Sequence, residues 1–553
     1  MRRLLVILAA CGGAQAPATP AGNFASLRDR VLADLFRVNP SNAVGLGFHD
    51  HDGEMPDMAQ PAIDGYLTAL HADRKELEAV VPGTPLEREE RDTLIIAVRG
   101  NIFSLGDFDV RHRNPMEVAG DFNLDAYVMR DYAPVATRAA AVMKVCSASA
   151  AHLEQSRAGM KLPIPKPWVE TAAGMFKGLA EFADKDVRAE LKDAPAELGP
   201  ALDACKTAFL AHARWLADQL PSATEDYALG KAKFLEMLEE TQGIKLDLAT
   251  LDKLAHDDLD RNTRALEAAA HEIDPNKPAG DVVADVFRDR PTPDAVLATA
   301  EQQATELRQF LIDHHIVSVP GNDVALVRPT PSFARWNAAS LSGAGPFEPK
   351  PLPSFYYISP PDPAWTPEVQ AAYIPPRMTL LFTTIHEVYP GHFIHAVHLK
   401  RLESQVEKSL WSYTTGEGWA HYTEEMMYDE GVGGHTPQAH VGQLAEALLR
   451  NVRFVVALGE HTGGMSVHDA ETLFVTRAFL DPGNAKQQAV RGTFDPMYLA
   501  YTVGKLAILK MRTDWKVAHP NGTLQEFHDA FLAHGAAPLP VIRRALLDDD
   551  ALF

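Results

Sequence analysis

The chain has 553 residues, 46% hydrophobic and 23% charged, with a formal net charge of −22. Such a chain buries a large core, in one large domain or two close lobes. Its acidity argues against nucleic acid or a broad anionic membrane surface as a partner, and its 3 cysteines are too few for a cysteine-based metal site.

The first residues, Met1-Arg2-Arg3, an apolar run from Leu4 to Ala10, then Cys11-Gly12, have the layout of an export signal. Leu8-Ala9-Ala10-Cys11 resembles a bacterial lipobox, where cleavage leaves the cysteine first for lipidation. Residues 1–11 are therefore expected to be a lipoprotein-type signal with Cys11 as the lipidated residue. Residues 12–23, rich in Ala, Gly and Pro, are expected to be a flexible tether. No run reaches the roughly 18 apolar residues of a membrane-spanning helix. The expected location is the periplasm, anchored by lipid to the outer membrane, with no other membrane contact.

Residues 24–316 read as an N-terminal helical lobe. Leu27, Val31, Leu32, Leu35 and Phe36 keep helical spacing, and Asn39-Pro40 stops that helix. The loop His49-Asp50-His51-Asp52 invites a metal reading but has the composition of a solvated turn. Amphipathic segments follow at 134–160, 168–184, 198–219, 228–241, 248–274 and 295–315, with no alternating β pattern between them. Cys146 and Cys205 are either paired or two buried thiols.

From 317 to 376 prolines crowd the chain, and Phe355-Tyr356-Tyr357-Ile358 is the best strand candidate. This segment is expected to connect the lobes or to wall a cleft, with a short sheet edge near 355–358. The fold class expected is mainly α, a large helical fold with a central cleft and at most a small β element.

Residues 377–553 form the C-terminal lobe, which carries the chemistry-bearing motif. In Ile385-His386-Glu387-Val388-Tyr389-Pro390-Gly391-His392 the second histidine comes two residues later than in H-E-x-x-H. On an unbroken helix the two imidazoles would point about 120° apart. Pro390-Gly391 forces a break between them. Spacing alone leaves two readings open: a bent zinc motif, or a helix ending in a Pro-Gly turn beside incidental histidines. Downstream, Glu417, His421 and Glu424 follow i, i+4, i+7 on one helical face. Trp419, Tyr422, Met426 and Met427 around them indicate burial, where such groups need partners or a cation.

The run from Glu417 to Glu424 resembles the third-ligand helix of the gluzincin metallopeptidases. The C-terminal half as a whole resembles the bacterial family known as domain of unknown function 885, with its HE-x-x-PGH and EGWAHY-x-E stretches. Further matching stretches are 447–453, 459–461, 491–496 and 501–505. The resemblance implies a helical, metallopeptidase-like fold holding Zn²⁺ through His386, His392 and Glu417, with Glu387 as general base. A tetrahedral oxyanion needs a further donor. Tyr501 and His461 are the first choices for it, and Arg453, Arg491 and Tyr498 are expected to bind substrate. His395 and His398 stand as alternative ligands, read as outer or surface residues. The expected activity is zinc-dependent hydrolysis of short peptides or other amides. The competing reading is a noncatalytic envelope lipoprotein that binds a ligand or peptide in a peptidase-like cleft.

Overall fold

The computed structural model describes residues 24–331, 335, 338–361 and 364–553. The export signal, tether and Cys11 lie outside the described residues. The fold is mainly α. Helices occupy Phe24–Val38, Val135–Gly159, Lys166–Phe182, Leu198–Ala217, Lys231–Gln242, Leu248–Ile273 and Val296–Asp313, close to where apolar periodicity places them. Their starts are set locally. Asn39, before Pro40–Leu46, accepts from the Asn42 N–H, and Asp247, before Leu248–Ile273, accepts from the Thr250 N–H. Among the described residues no helix is long and apolar enough to cross a membrane.

Cys146 and Cys205 form a disulfide, which joins the helices Val135–Gly159 and Leu198–Ala217. Around it lies one hydrophobic core, built on Phe122, Phe176 and Phe209. The largest core draws on helices from both ends of the chain, including Leu251, Leu259 and Leu307 from before residue 317 and Trp419, Leu448 and Val503 from beyond 376.

The Pro-rich segment contributes three short strands. β1 (Ala325–Pro329), β2 (Ala339–Ser342) and β3 (Ser354–Ile358) form a sheet in the order β1-β3-β2. β3 runs parallel to β1 and antiparallel to β2. The run read as a sheet edge is thus the central strand, and every residue of β3 is buried. The reason lies in its unbroken aromatic and apolar composition, which suits a strand covered on both faces. β2 is half-buried throughout and takes an outer position in the sheet.

Two contacts position the C-terminal helices. Tyr413–Asp429 and Ala500–Ala518 approach through facing glycines. A Cβ on Gly504 would lie 2.2 Å from the Thr414 carbonyl oxygen and 2.5 Å from Gly418 Cα. Only glycine at this crossing allows the backbones so close. The second contact is a buried polar tie. Lys505 Nζ, fully buried, lies 2.7 Å from Asp258 Oδ2 and 3.3 Å from Glu425, and Asn451 donates to the same Asp258 oxygen at 2.7 Å. It fixes Leu248–Ile273 against both Pro437–Leu458 and Ala500–Ala518.

Candidate metal centre

The first histidine ends one helix and the second begins another. Arg377–Glu387 stops at Val388, and His392–Leu399 starts directly after Gly391. The chain between them folds back tightly on the end of the first helix. A Cβ on Gly391 would fall 1.8 Å from the His386 carbonyl oxygen, so no other residue fits there. Gly391 N–H donates to the Ile385 carbonyl at 3.0 Å. Trp419 Nε1 donates to the Pro390 carbonyl at 3.0 Å, tying the turn to Tyr413–Asp429. The two extra residues are absorbed in this turn, and the His386 and His392 rings meet at 4.9 Å, edge to face.

Glu417 completes the group. Its Oε2 lies 3.3 Å from His386 Nε2 and 3.4 Å from His392 Nε2. Bonds of about 2.0–2.1 Å to a tetrahedral zinc place neighbouring donors about 3.3–3.4 Å apart. Glu417 Oε2 is buried and has no hydrogen-bond partner. An orphaned carboxylate oxygen between two imidazole nitrogens is costly unless a cation meets it. The donor set and its spacing therefore fit a zinc ion. Glu387, next to His386 and 8% exposed, lines the cavity that these residues open into.

Glu424 orients the first candidate ligand. His386 Nδ1 donates to Glu424 Oε1 at 2.7 Å, which turns Nε2 toward Glu417. Glu424 is fully buried, and Arg450 stands 3.5 Å from the same oxygen. Burial opposes charge on His386, but the Glu417 and Glu424 carboxylates outweigh it and push its pKa up to about 10. Burial likewise opposes charge on Glu417, yet the imidazoles of His392 and His386 hold its carboxyl well below the usual range. The surroundings thus favour positive charge at the point where the donors converge.

A family model for a bacterial protein of unknown function, DUF885, matches residues 40–546. The chain belongs to the DUF885 family. No curated protein sequence matches it. Two solved structures share the fold of this DUF885 protein. One is a candidate lipoprotein of unknown function from Shewanella oneidensis, 21% identical, with 95% of this chain and 99% of that chain covered and a TM-score of 0.77. The other is a candidate lipoprotein from Colwellia psychrerythraea, 16% identical, with 95% and 98% covered and a TM-score of 0.76. An M32 carboxypeptidase from Deinococcus radiodurans R1 aligns at 11% identity over 96% of each chain with a TM-score of 0.38, too low to carry an argument.

In this DUF885 protein the metal-ligand candidates open into a cavity of about 1430 Å³, larger than most small-molecule pockets. Its walls include Met116 and Met175 from the N-terminal half and Ser340 and Leu341 from β2. Tyr501, Arg453 and Arg491 also line it. The Tyr501 ring lies 6.3 Å from the His386 ring, and its hydroxyl has no hydrogen-bond partner among the described residues.

Two expected site residues lie elsewhere. His461 is buried in the π-turn Gly459–Gly463, where its Nε2 donates to the Gly492 carbonyl at 2.9 Å and its ring stacks on Phe234. That turn points His461 into the packing beneath the cavity rather than toward it. Tyr498, fully buried, gives its hydroxyl to Gln488 Oε1 at 2.9 Å and places its ring under the guanidinium groups of Arg453 and Arg491. It supports the arginines and does not line the cavity.

His395 and His398 turn away from the ligand group, to the Gly535 and Ser318 carbonyls at 2.9 and 2.8 Å. His49 pairs with Asp52 and Glu348 in a short turn. The sequence reading missed the orienting role of Glu424, although its place three residues after His421 on the Glu417 face was visible. A second donor group, Glu89, Glu407 and His534, also brings its atoms within 4.8 Å of one another, but none of the three lines the cavity.

Proposed function

We propose that this protein is a zinc-dependent hydrolase that cleaves short peptides, exported and held at the outer membrane by a lipid on Cys11. One observation carries the catalytic reading: the close triangle of His386 Nε2, His392 Nε2 and Glu417 Oε2, with Glu387 beside it on the cavity wall. His386, His392 and Glu417 would hold the ion. When bound, zinc supplies Lewis acidity toward a carbonyl and lowers the pKa of water toward neutrality.

The remaining work belongs to the chain. Glu387 takes the proton of the attacking water and returns it to the departing amine. Tyr501, whose hydroxyl has no partner among the described residues, donates to the oxyanion that forms on the carbonyl. Glu424 keeps His386 in the tautomer that presents Nε2. Arg453 and Arg491 bind the substrate along the cavity wall. Export and anchoring rest on the Leu8-Ala9-Ala10-Cys11 stretch, and the description of both similar structures as candidate lipoproteins supports them.

The test is metal analysis of the purified protein together with digestion of a mixed short-peptide library. About one zinc per chain is expected, lost on His386→Ala, His392→Ala or Glu417→Ala. Glu387→Gln should keep zinc and fold yet lose roughly 10²–10⁴-fold in turnover. A zinc-loaded wild type that binds peptides but cleaves none would leave the noncatalytic binding reading in its place.

A further inference from the structure

Among the described residues, the arginines that line the cavity differ in how their donors are used. Arg450 is committed to Glu446 and Glu424. Arg491 pairs with Asp495 at 2.9 Å. Arg290 gives its Nε and Nη1 to the carbonyls of Phe287, Ala372 and Ile374. Arg453 is different. It is 7% exposed and lines the cavity. Its Nε donates to Gln488 Oε1 at 2.9 Å, and no carboxylate pairs with it among the described residues. Among the described residues, its two terminal nitrogens have no acceptor.

The body of the side chain is buried, while its terminal nitrogens reach the cavity, where an anion can meet them. The fold holds the guanidinium firmly. Its central carbon lies 5.1 Å from the Tyr498 ring centroid and 4.9 Å from that of Tyr501. Gln488 Oε1 is fixed in turn by the Tyr498 hydroxyl at 2.9 Å. Two rings and one side-chain amide therefore orient the planar group and leave its forked terminal donors free. That fork matches a carboxylate in two parallel hydrogen bonds.

We infer that Arg453 anchors a free carboxylate of the substrate, which makes the site selective for short peptides that carry one near the bond to be cut. The inference rests on the peptidase reading above. Tyr501 is near both points, 4.9 Å from the guanidinium and 6.3 Å from the His386 ring, so the two are at most about 11 Å apart. An extended chain advances at most about 3.5 Å per residue, so the anchored carboxylate falls within about three residues of the scissile bond. It is either the peptide's own C-terminus or an acidic side chain. Tyr498 and Gln488 are positioning residues for this anchor.

The experiment compares one cleavable library peptide as free acid, as C-terminal amide, and as an amide carrying a Glu near the cut. Wild type should favour a carboxylate-bearing form over the plain amide by roughly tenfold to a hundredfold in kcat/KM, mostly through KM. The favoured form tells C-terminus from side chain. In Arg453→Gln that ratio should fall toward one, and Arg453→Lys should recover part of it. Equal kcat/KM for all three peptides in wild type, which needs no variant to fold, would overturn the anchor. So would an Arg453→Gln that discriminates as wild type does. Should wild type cleave none of them, the peptidase reading fails. Calorimetric titration of the same peptides into Glu387→Gln, with and without Arg453→Gln, then decides the anchor alone: carboxylate-dependent binding that vanishes with Arg453 supports it, and binding indifferent to the carboxylate refutes it.

Discussion

Gly504→Ala tests whether the crossing of two helices sets the site. The added methyl would stand 2.2 Å from the Thr414 carbonyl oxygen and 2.5 Å from Gly418 Cα. Ordinary contacts to a methyl are about 3.5–4.0 Å, so the helices must part by about 1 Å or more. Overpacking of this kind costs about 1–3 kcal/mol. The displacement also reaches the chemistry. Tyr501 lies one turn before Gly504, and Glu417 is the neighbour of Gly418. A shift of about 1 Å in a reacting or stabilising group is worth on the order of 10²-fold in rate. Denaturant unfolding, zinc content and peptide kcat/KM should be measured together. The expected result is a modest loss of stability beside a much larger loss of turnover. Full activity with an unchanged denaturation midpoint would show that the glycine contact does not position Tyr501 and Glu417.

Glu424→Gln should weaken zinc binding about 10- to 100-fold, measured by chelator competition, because a neutral amide accepts more weakly from the His386 Nδ1–H and can turn its NH2 to that nitrogen instead; unaltered affinity would remove Glu424 from the account. Glu460 offers a pH test away from the metal. Its carboxyl is buried, neither oxygen has a partner, and burial pushes its pKa up to about 9 from 4.5. The folded protein thus keeps a proton that the unfolded chain releases, so this group's contribution is full below about pH 4.5 and is lost progressively up to about pH 9. Glu460→Gln should flatten that decline, narrowing the difference in unfolding free energy between about pH 5.5 and 8.5 by up to about 4 kcal/mol. A wild-type and variant difference that is the same at both pH values would refute it.

The helices were legible because their apolar stripes are long and strictly periodic. Leu248–Ile273 and Val296–Asp313 fall within two residues of their expected ends. The strand at 354–358 was legible as a strand but not as a central one. Its partners, Ala325–Pro329 and Ala339–Ser342, are short and lie among prolines, so neither announces itself. Within the site, the proposed ligand triad follows from motif and resemblance, whereas direction does not. His461 and Tyr498 sit in stretches as family-like as the one around Tyr501. A π-turn carries His461 inward, and a bond to Gln488 holds Tyr498 below the cavity floor. Such rotations arise from tertiary packing, which a linear pattern does not encode. The unpaired state of Arg453 was equally invisible, since it depends on which carboxylates reach its neighbours Arg450 and Arg491.

The longer histidine spacing changes what holds the site. In H-E-x-x-H one rigid helical face presents both imidazoles, so their separation comes from local geometry. Here His392 belongs to a separate helix of eight residues, and its place depends on contacts made by the turn before it and the helix itself. Gly391 closes the turn against His386, Trp419 grips the Pro390 carbonyl, and His395 is bound to the Gly535 carbonyl. The last two partners come from separate regions of the chain, the Glu417 helix and a C-terminal loop. The placement of His392 is therefore coupled to the packing of the C-terminal helices. That of His386 is coupled mainly to one buried carboxylate, Glu424. This difference explains why a region of the chain so far from the motif takes part in the site. The C-terminal helices carry Tyr501 and Arg453, and the loop beyond them completes the support that a single unbroken helix would otherwise provide.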